Sequence, residues 1–248
     1  MASPNSQPLL GTRSLLSTLL VVGACLAGLA TAYSRGWLRF SHPSERDHPV
    51  LGIDVSHHQG VVDWPPLRAA GVRFAFIKSS EGETLRDHRF AANAADAAAA
   101  GIAWGPYHFF TFCTPGASQA RNFRATAASL PRDLPPVVDI EFVGNCRSWT
   151  SLADVRRELT IFLERVEADF GEPAILYVTR EAEERILAGA FPGFARWPRS
   201  ILGRPSLDTW SEWTFWQFAD NGRLPGISGP VDLDVYCCSE AEFLARKW

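Results

Sequence analysis

The stretch Pro135-Pro136-Val137-Val138-Asp139-Ile140-Glu141-Phe142 decides how the rest of the chain is read. Two prolines lead into a short apolar run that ends in two carboxylates two residues apart. As a β-strand it turns Asp139 and Glu141 to one face and Val138, Ile140 and Phe142 to the other, because alternate side chains share a face. The two acidic Cα atoms then lie about 6.5 Å apart, two steps of strand rise. Acids held that close are costly unless their charge is used or compensated. Glycoside hydrolysis needs such a pair, one group protonated and one ionised. A solvated acidic strand tip is the plain alternative, and the neighbouring elements decide between the two.

Strand-like and helix-like patterns alternate around this stretch. Before it, strands are read at Leu51–Val55, Val72–Lys78 and Ile102–Phe110. Helices fall between them: one opening at Asp63 and stopped by Gly71, one over His88–Ala100, and one near Ser118–Ser129. After it come a long amphipathic helix, Ser151–Phe170, a fifth strand, Ala174–Val178, and a short helix, Glu181–Ala188. The rhythm then changes. Arg199–Leu202, Thr214–Phe218 and Val231–Tyr236 read as strands, with spacers too short or too rich in Gly and Pro for full helices. Five β-α units followed by three strands with little helix give an α/β fold, an irregular TIM-like barrel of eight strands. A doubly wound open sheet is the alternative, but no G-x-G-x-x-G or phosphate loop follows any strand.

Barrels of this kind collect their chemistry at the C-terminal ends of the strands. The first strand carries Asp54, with Ser56, His57, His58 and Gln59 just beyond; the second ends at Lys78-Ser79-Ser80-Glu81, the third at Tyr107-His108-Phe109. Asp139 and Glu141, Tyr177, Trp216 and Gln217, and Asp232 and Asp234 follow on later strands. Acids for proton transfer, aromatic rings for stacking and amides for hydroxyl groups make a carbohydrate-site composition. Substrate contacts are accordingly expected at Gln59, Glu81, Tyr107, Tyr177, Trp216 and Gln217. Lys78, inside an apolar strand, is read as paired to an acid within the barrel. His57, His58 and His108 with Asp54 could compose a metal site, but adjacent histidines do not easily face one ion and no H-x-x-H or H-E-x-x-H occurs. No metal or cofactor is expected.

The 248 residues are 46% hydrophobic and 21% charged with a net charge of -3, enough for one large domain and without the basic excess of a nucleic-acid binder. Residues 1–32 hold an apolar run, Ser14 to Ala32, of about membrane-span length ending in Ala30-Thr31-Ala32, a signal-peptidase-like site. Val22-Gly23-Ala24-Cys25 also resembles a lipobox. A signal peptide, a membrane anchor and a lipoprotein signal all fit this run; each puts residues 50–248 outside the cytoplasm behind a linker at 33–49. Arg35, Arg39 and Arg46 outnumber Arg13, against the positive-inside expectation for export. Four cysteines remain in the barrel domain. Cys113 follows the third strand and Cys146 the fourth, in adjacent loops within disulfide reach if those loops converge. Cys237 and Cys238 are then a vicinal disulfide or two thiols, and free thiols throughout are the alternative.

Six segments in order resemble the Chalaropsis-type lysozymes, glycoside hydrolase family 25. They are Gly52-Ile53-Asp54-Val55-Ser56 with Gln59-Gly60 and Asp63-Trp64; Phe76-Ile77-Lys78 with Glu81-Gly82; Gly105-Pro106-Tyr107-His108-Phe109; Pro135 to Glu141; Trp213-Thr214-Phe215-Trp216-Gln217; and Pro225-Gly226-Ile227-Ser228-Gly229 with Val231-Asp232-Leu233-Asp234. The resemblance implies a (β/α)5(β)3 barrel that hydrolyses the β-1,4 bond between N-acetylmuramic acid and N-acetylglucosamine in peptidoglycan. It implies Asp54, Asp139, Glu141 and Asp232 as the acidic site, Glu141 as proton donor, retention of configuration and no metal. Near the sixth strand the family's Pro-Leu-Trp-Ile-type run is replaced by Pro198-Arg199-Ser200-Ile201-Leu202, which puts a stacking surface in question. Asp139 and Asp54 beside Glu141 are expected to keep it protonated by like-charge repulsion. The rival is a catalytically silent glycan-binding module on the same barrel, which loss of these acids would mark. The expected partners are peptidoglycan strands, with no nucleic acid, a membrane only through the N-terminal segment, and a monomeric state. The location is periplasmic or secreted, or anchored to the inner membrane.

Overall fold

The structure is a computed structural model that describes residues 12–187, 189–206, 212–246 and 248. It divides into a unit ending at Leu38 and a barrel unit running from Arg39 to Trp248. In the first unit α1, Thr12–Ser34, is apolar, and Ser17–Ser34 is long and apolar enough to cross a membrane with none of it buried. Leu19, Leu20, Val21, Leu26 and Leu29 are all exposed on it, the pattern of a helix meant for lipid or for a signal rather than for a core.

The barrel strands are β1 (Leu51–Val55), β2 (Val72–Glu81), β4 (Ala103–Phe109), β5 (Val137–Ile140), β6 (Ile175–Thr179), β7 (Arg196–Arg199), β8 (Phe215–Gly222) and β9 (Val231–Tyr236). A two-residue β3, Leu85–Arg86, folds back on the end of β2. Around the sheet the order is β1-β9-β8-β7-β6-β5-β4-β2, and pairing of β1 with β2 closes it. Seven strands are parallel, while β9 runs antiparallel to both β1 and β8. Helices α2 (Trp64–Ala69), α3 (Phe90–Ala99), α4 (Gly116–Ala127) and α5 (Leu152–Phe170) follow the earlier strands; after β6 come α6 (Arg180–Ala182) and a π-turn, Glu183–Leu187. A short C-terminal α7 spans Glu240–Ala245. The expected eight-stranded barrel is therefore present, with two differences. The sixth strand begins three residues earlier than read, at Arg196, and the last strand is reversed. Residue 188, the end of the short helix read over Glu181–Ala188, lies outside the described residues.

Two apolar layers follow from the pleat. Outward-facing Ile53, Ala75, Ile77, Val138, Ile140, Leu176 and Val178 pack under the helices with Phe123, Leu159, Phe162 and Val166. Inward-facing Phe74, Phe76, Val137, Ile175, Tyr177, Trp197, Phe215 and Tyr236 fill the lumen. Their rings form a column: Phe74 lies 4.9 Å from Phe215, Phe215 5.1 Å from Phe76, Phe76 4.5 Å from Trp197, and Trp197 4.8 Å from Tyr177. Gly52 makes room for it, since a Cβ there would overlap the Phe74 ring. Phe243 of α7 and Trp248 stack on the lower end of the column. The column thus closes one end of the barrel and leaves the end that carries the acids open.

Segment 39–49, read as linker, lies on the barrel. His48 bonds the Cys237 carbonyl at 3.0 Å and packs 5.2 Å from the Trp213 ring. Cys113 and Cys146 form a disulfide across the loops after β4 and β5, with Cα atoms 6.2 Å apart. Cys237 is bonded to its neighbour Cys238, and Cys25 is free and exposed.

Candidate active site

Inward-facing side chains at the open end meet in a cleft of about 320 Å³. Asp54 enters from β1, Tyr107 from β4, Asp139 from β5, Tyr177 and Thr179 from β6, Trp197 and Arg199 from β7, Gln217 and Asp220 from β8, and Asp232 from β9. Glu141 and Val143 line it from the turn just past β5. Asp232 reaches this end because β9 is reversed: it stands opposite Asp54 near the start of its strand, so the end where a parallel strand finishes is the end where β9 begins.

Hydrogen bonds lock the inner wall. The Tyr177 hydroxyl donates to Gln217 Oε1 at 2.9 Å, and Gln217 Nε2 donates to Asp54 Oδ2 at 2.7 Å. One layer deeper, Trp197 Nε1 donates to Asp234 Oδ1 at 2.8 Å. Arg199 Nη2 donates to Asp220 Oδ2 at 2.7 Å on the rim. Lys78 pairs with Glu81 at 2.7 Å and lies 5.1 Å over the Phe109 ring, the acid partner expected for it.

Burial dominates the electrostatics. It holds Asp54 well above the usual carboxylate range; the charge of Asp234 adds to this and the Gln217 hydrogen bond opposes it. Asp232 and Asp234 are raised for the same first reason, with Asp54 and Asp232 as their respective next contributors. Asp139 is raised by burial and then by the charge of Glu141, against the pull of Lys78. Its Oδ1 is buried with no hydrogen-bond partner among the described residues, an arrangement that an ionised carboxylate tolerates poorly. Glu141 is raised by burial, while Arg199 and Lys78 draw it back down. This corrects the expected cause: burial raises Glu141, and the repulsion within the pair falls on Asp139. The Tyr107 and Tyr177 hydroxyls are also raised, first by burial, and stay neutral.

The four acids Asp54, Asp139, Glu141 and Asp232 come together with Tyr107, Tyr177 and Gln217. Three other expected contacts lie elsewhere. Trp216 faces outward, 5.7 Å from the Trp213 ring, with Nε1 bonded to the Ser200 carbonyl at 2.9 Å, because Gln217 beside it takes the inward face. Gln59 closes a capping box, accepting from Ser56 N at 2.9 Å and donating to the Pro230 carbonyl. Glu81 is occupied by Lys78 outside the cleft lining. The stacking surface put in question near the sixth strand is supplied by Trp197, which pairs with Tyr177 two positions before Arg199. Arg199 and Asp220 were also not anticipated, although the Trp-Pro-Arg run and the acid two residues past Phe218 were visible signals. His108 faces the helices, stacked 5.0 Å from Phe162 and bonded to Ser80 Oγ at 2.8 Å, on the opposite sheet face from Asp54. Burial lowers its pKa to about 3, so it remains neutral. Among the described residues no group of three His, Cys, Asp or Glu could hold a metal ion.

Comparison with known proteins places this cleft in context. A family model described as glycosyl hydrolases family 25 matches residues 53–227. Lysozyme M1 of Streptomyces globisporus is 35% identical over 210 residues, covering 79% of this chain and 70% of that protein. A family 25 glycosyl hydrolase from Bacillus anthracis superposes with a TM-score of 0.76 at 36% identity, covering 82% of this chain and 94% of its own. A bacterial lysozyme from Streptomyces coelicolor gives 0.71 at 33% identity, with coverage of 79% and 95%.

Proposed function

The chain belongs to glycosyl hydrolases family 25 and is a glycoside hydrolase of the lysozyme type acting on peptidoglycan, and from that premise we propose that it is an N-acetylmuramidase with Glu141 as its general acid. The bond cleaved is the β-1,4 link between N-acetylmuramic acid and N-acetylglucosamine. One observation carries the assignment: Asp54, Asp139, Glu141 and Asp232 converge on a single open cleft floored by Trp197 and Tyr177. A silent binding module has no use for four carboxylates that cost stability to bury together.

In this reading the sugar rings lie against Tyr107 and Tyr177, and Glu141 protonates the glycosidic oxygen as the bond to the anomeric carbon lengthens. Burial keeps the Glu141 proton available above the ordinary carboxylate range. Asp54, Asp139 and Asp232 titrate with it as a set, and their remaining negative charge stabilises the oxocarbenium-like transition state. Mass spectrometry of fragments from digested peptidoglycan tests the bond. N-acetylmuramic acid at the new reducing end is expected, and N-acetylglucosamine there would overturn the assignment. The same function requires export, for which α1 is the address. N-terminal sequencing of protein recovered outside the cytoplasm should start near residue 33 if α1 is cleaved, and a soluble cytosolic full-length product would contradict export.

A further inference from the structure

Building on the reading of Glu141 as general acid, we infer that Asn145 is a positioning residue that fixes the Glu141 peptide and thereby aims its carboxyl into the cleft. Glu141 lies just beyond Ile140, the last residue of β5, so the barrel ladder does not hold it. Its carbonyl instead accepts from Asn145 Nδ2 at 2.9 Å. The same nitrogen donates to the Phe110 carbonyl at 2.9 Å, just past β4. Asn145 Oδ1 accepts from Phe112 N at 2.9 Å and from Cys146 N at 3.0 Å. Two donor hydrogens and two lone pairs are all a side-chain amide possesses, and each is used.

These four bonds stitch the segment after β5 to the segment after β4. The turn that presents Asn145 is closed by its own N–H donating to the Phe142 carbonyl at 3.2 Å, with Gly144 at a left-handed φ of 76°. The next residue, Cys146, carries the disulfide to Cys113 on the same neighbouring loop. Covalent bond and amide clamp therefore act on one joint. Holding the Glu141 carbonyl restricts its ψ angle and with it the directions its side chain can take. Active-site loops are ordinarily the mobile parts of a barrel, and a misplacement of about 1 Å can cost about 100-fold in rate.

The test is Asn145→Ala in the full chain. The expected result is a kcat on peptidoglycan lower by about 10- to 100-fold with KM within about twofold. Its second readout needs no activity: the Glu141 carboxyl titration, followed by carbon-13 NMR of glutamate-labelled protein. Released from burial, Glu141 should titrate at lower pH than in the parent, while Arg199 and Lys78, which draw it down, and Asp139 and Tyr177, which its own charge raises, remain. Asn145→Asp keeps the shape and the bonds accepted from Phe112 and Cys146, so it serves if the alanine variant does not fold. Measured where Glu141 is protonated, it should show the same loss of kcat with KM retained. A folded variant with kcat within twofold of the parent, or an unmoved Glu141 titration, would overturn the inference. Failure of the parent protein itself to cut peptidoglycan would count against the function, and the titration would still judge Asn145.

Discussion

As the proposed general acid, Glu141 needs a proton that survives to the pH at which the protein works, and its surroundings pull that proton in opposite directions. Burial holds it on; Arg199 and then Lys78 draw it off. Glu141→Gln removes the transferable proton while keeping shape, so it should leave fold and glycan binding intact and cut turnover by about 10²–10⁴-fold. Near-parental activity in a folded variant would sink the assignment. Arg199 gives a second prediction with a definite sign. A general acid is lost as pH rises through its own pKa, so the alkaline limb of kcat reports Glu141. Arg199→Gln removes the larger of the two charges that lower Glu141. Its loss raises the Glu141 pKa, and the alkaline limb should move to higher pH. A limb that moves down or stays fixed would show that another group sets it.

Among the elements, β7 separates what was legible from what was not. Its inward residue Trp197 sits in a run, Arg196-Trp197-Pro198-Arg199, that offers only four residues and a proline. Reading the strand from Arg199 put the barrel tryptophan out of reach. Trp216 failed for a reason the sequence did contain: two adjacent strand residues cannot face one lumen, so Trp216 and Gln217 could not both line the cleft. The alternation around Asp139, by contrast, follows from the pleat, and Glu141, one residue past the strand, lines the same cleft. The loop cysteines were readable by the same logic, because β4 and β5 are sequential parallel neighbours whose following loops must lie side by side. The Cys113–Cys146 bond spans a sequence separation of 33, for which loop-closure entropy gives about 3–4 kcal/mol. Replacing both cysteines with serine should lower stability by an amount of that order in urea unfolding. An unchanged midpoint would mean that the bond constrains neither the folded nor the unfolded chain.

At the scale of the molecule, the sequence specified how many strands there are but not how the sheet closes, because alternation is the same for a strand run in either direction. The direction of β9 is set by its short connection from β8, and that reversal brings Asp232 beside Asp54 at the open end. The closed barrel then crowds Asp54, Asp139, Asp232 and Asp234 around an apolar column, and all four are raised above the ordinary carboxylate range, first by burial. A raised native pKa means that the folded protein binds more protons than the unfolded chain at pH values between the ordinary value, about 3.9, and the native one. Stability must therefore fall as pH rises through that window, and above it the whole penalty is present. His108 works in the opposite sense: lowered to about 3, it costs stability as pH falls below its ordinary value of about 6.5. One imidazole opposes these four carboxyls and Glu141, raised with them, so the urea midpoint should be higher at pH 5.5 than at pH 8. Asp234→Asn tests the cause directly. Its carbonyl oxygen can still accept from Trp197 Nε1, while the buried charge is gone. The variant should gain stability at pH 8 and gain less at pH 5.5. A parental midpoint that rises steadily from pH 5.5 to pH 8, or a variant that gains equally at both, would show that the acid cluster is not what sets the pH dependence of the barrel.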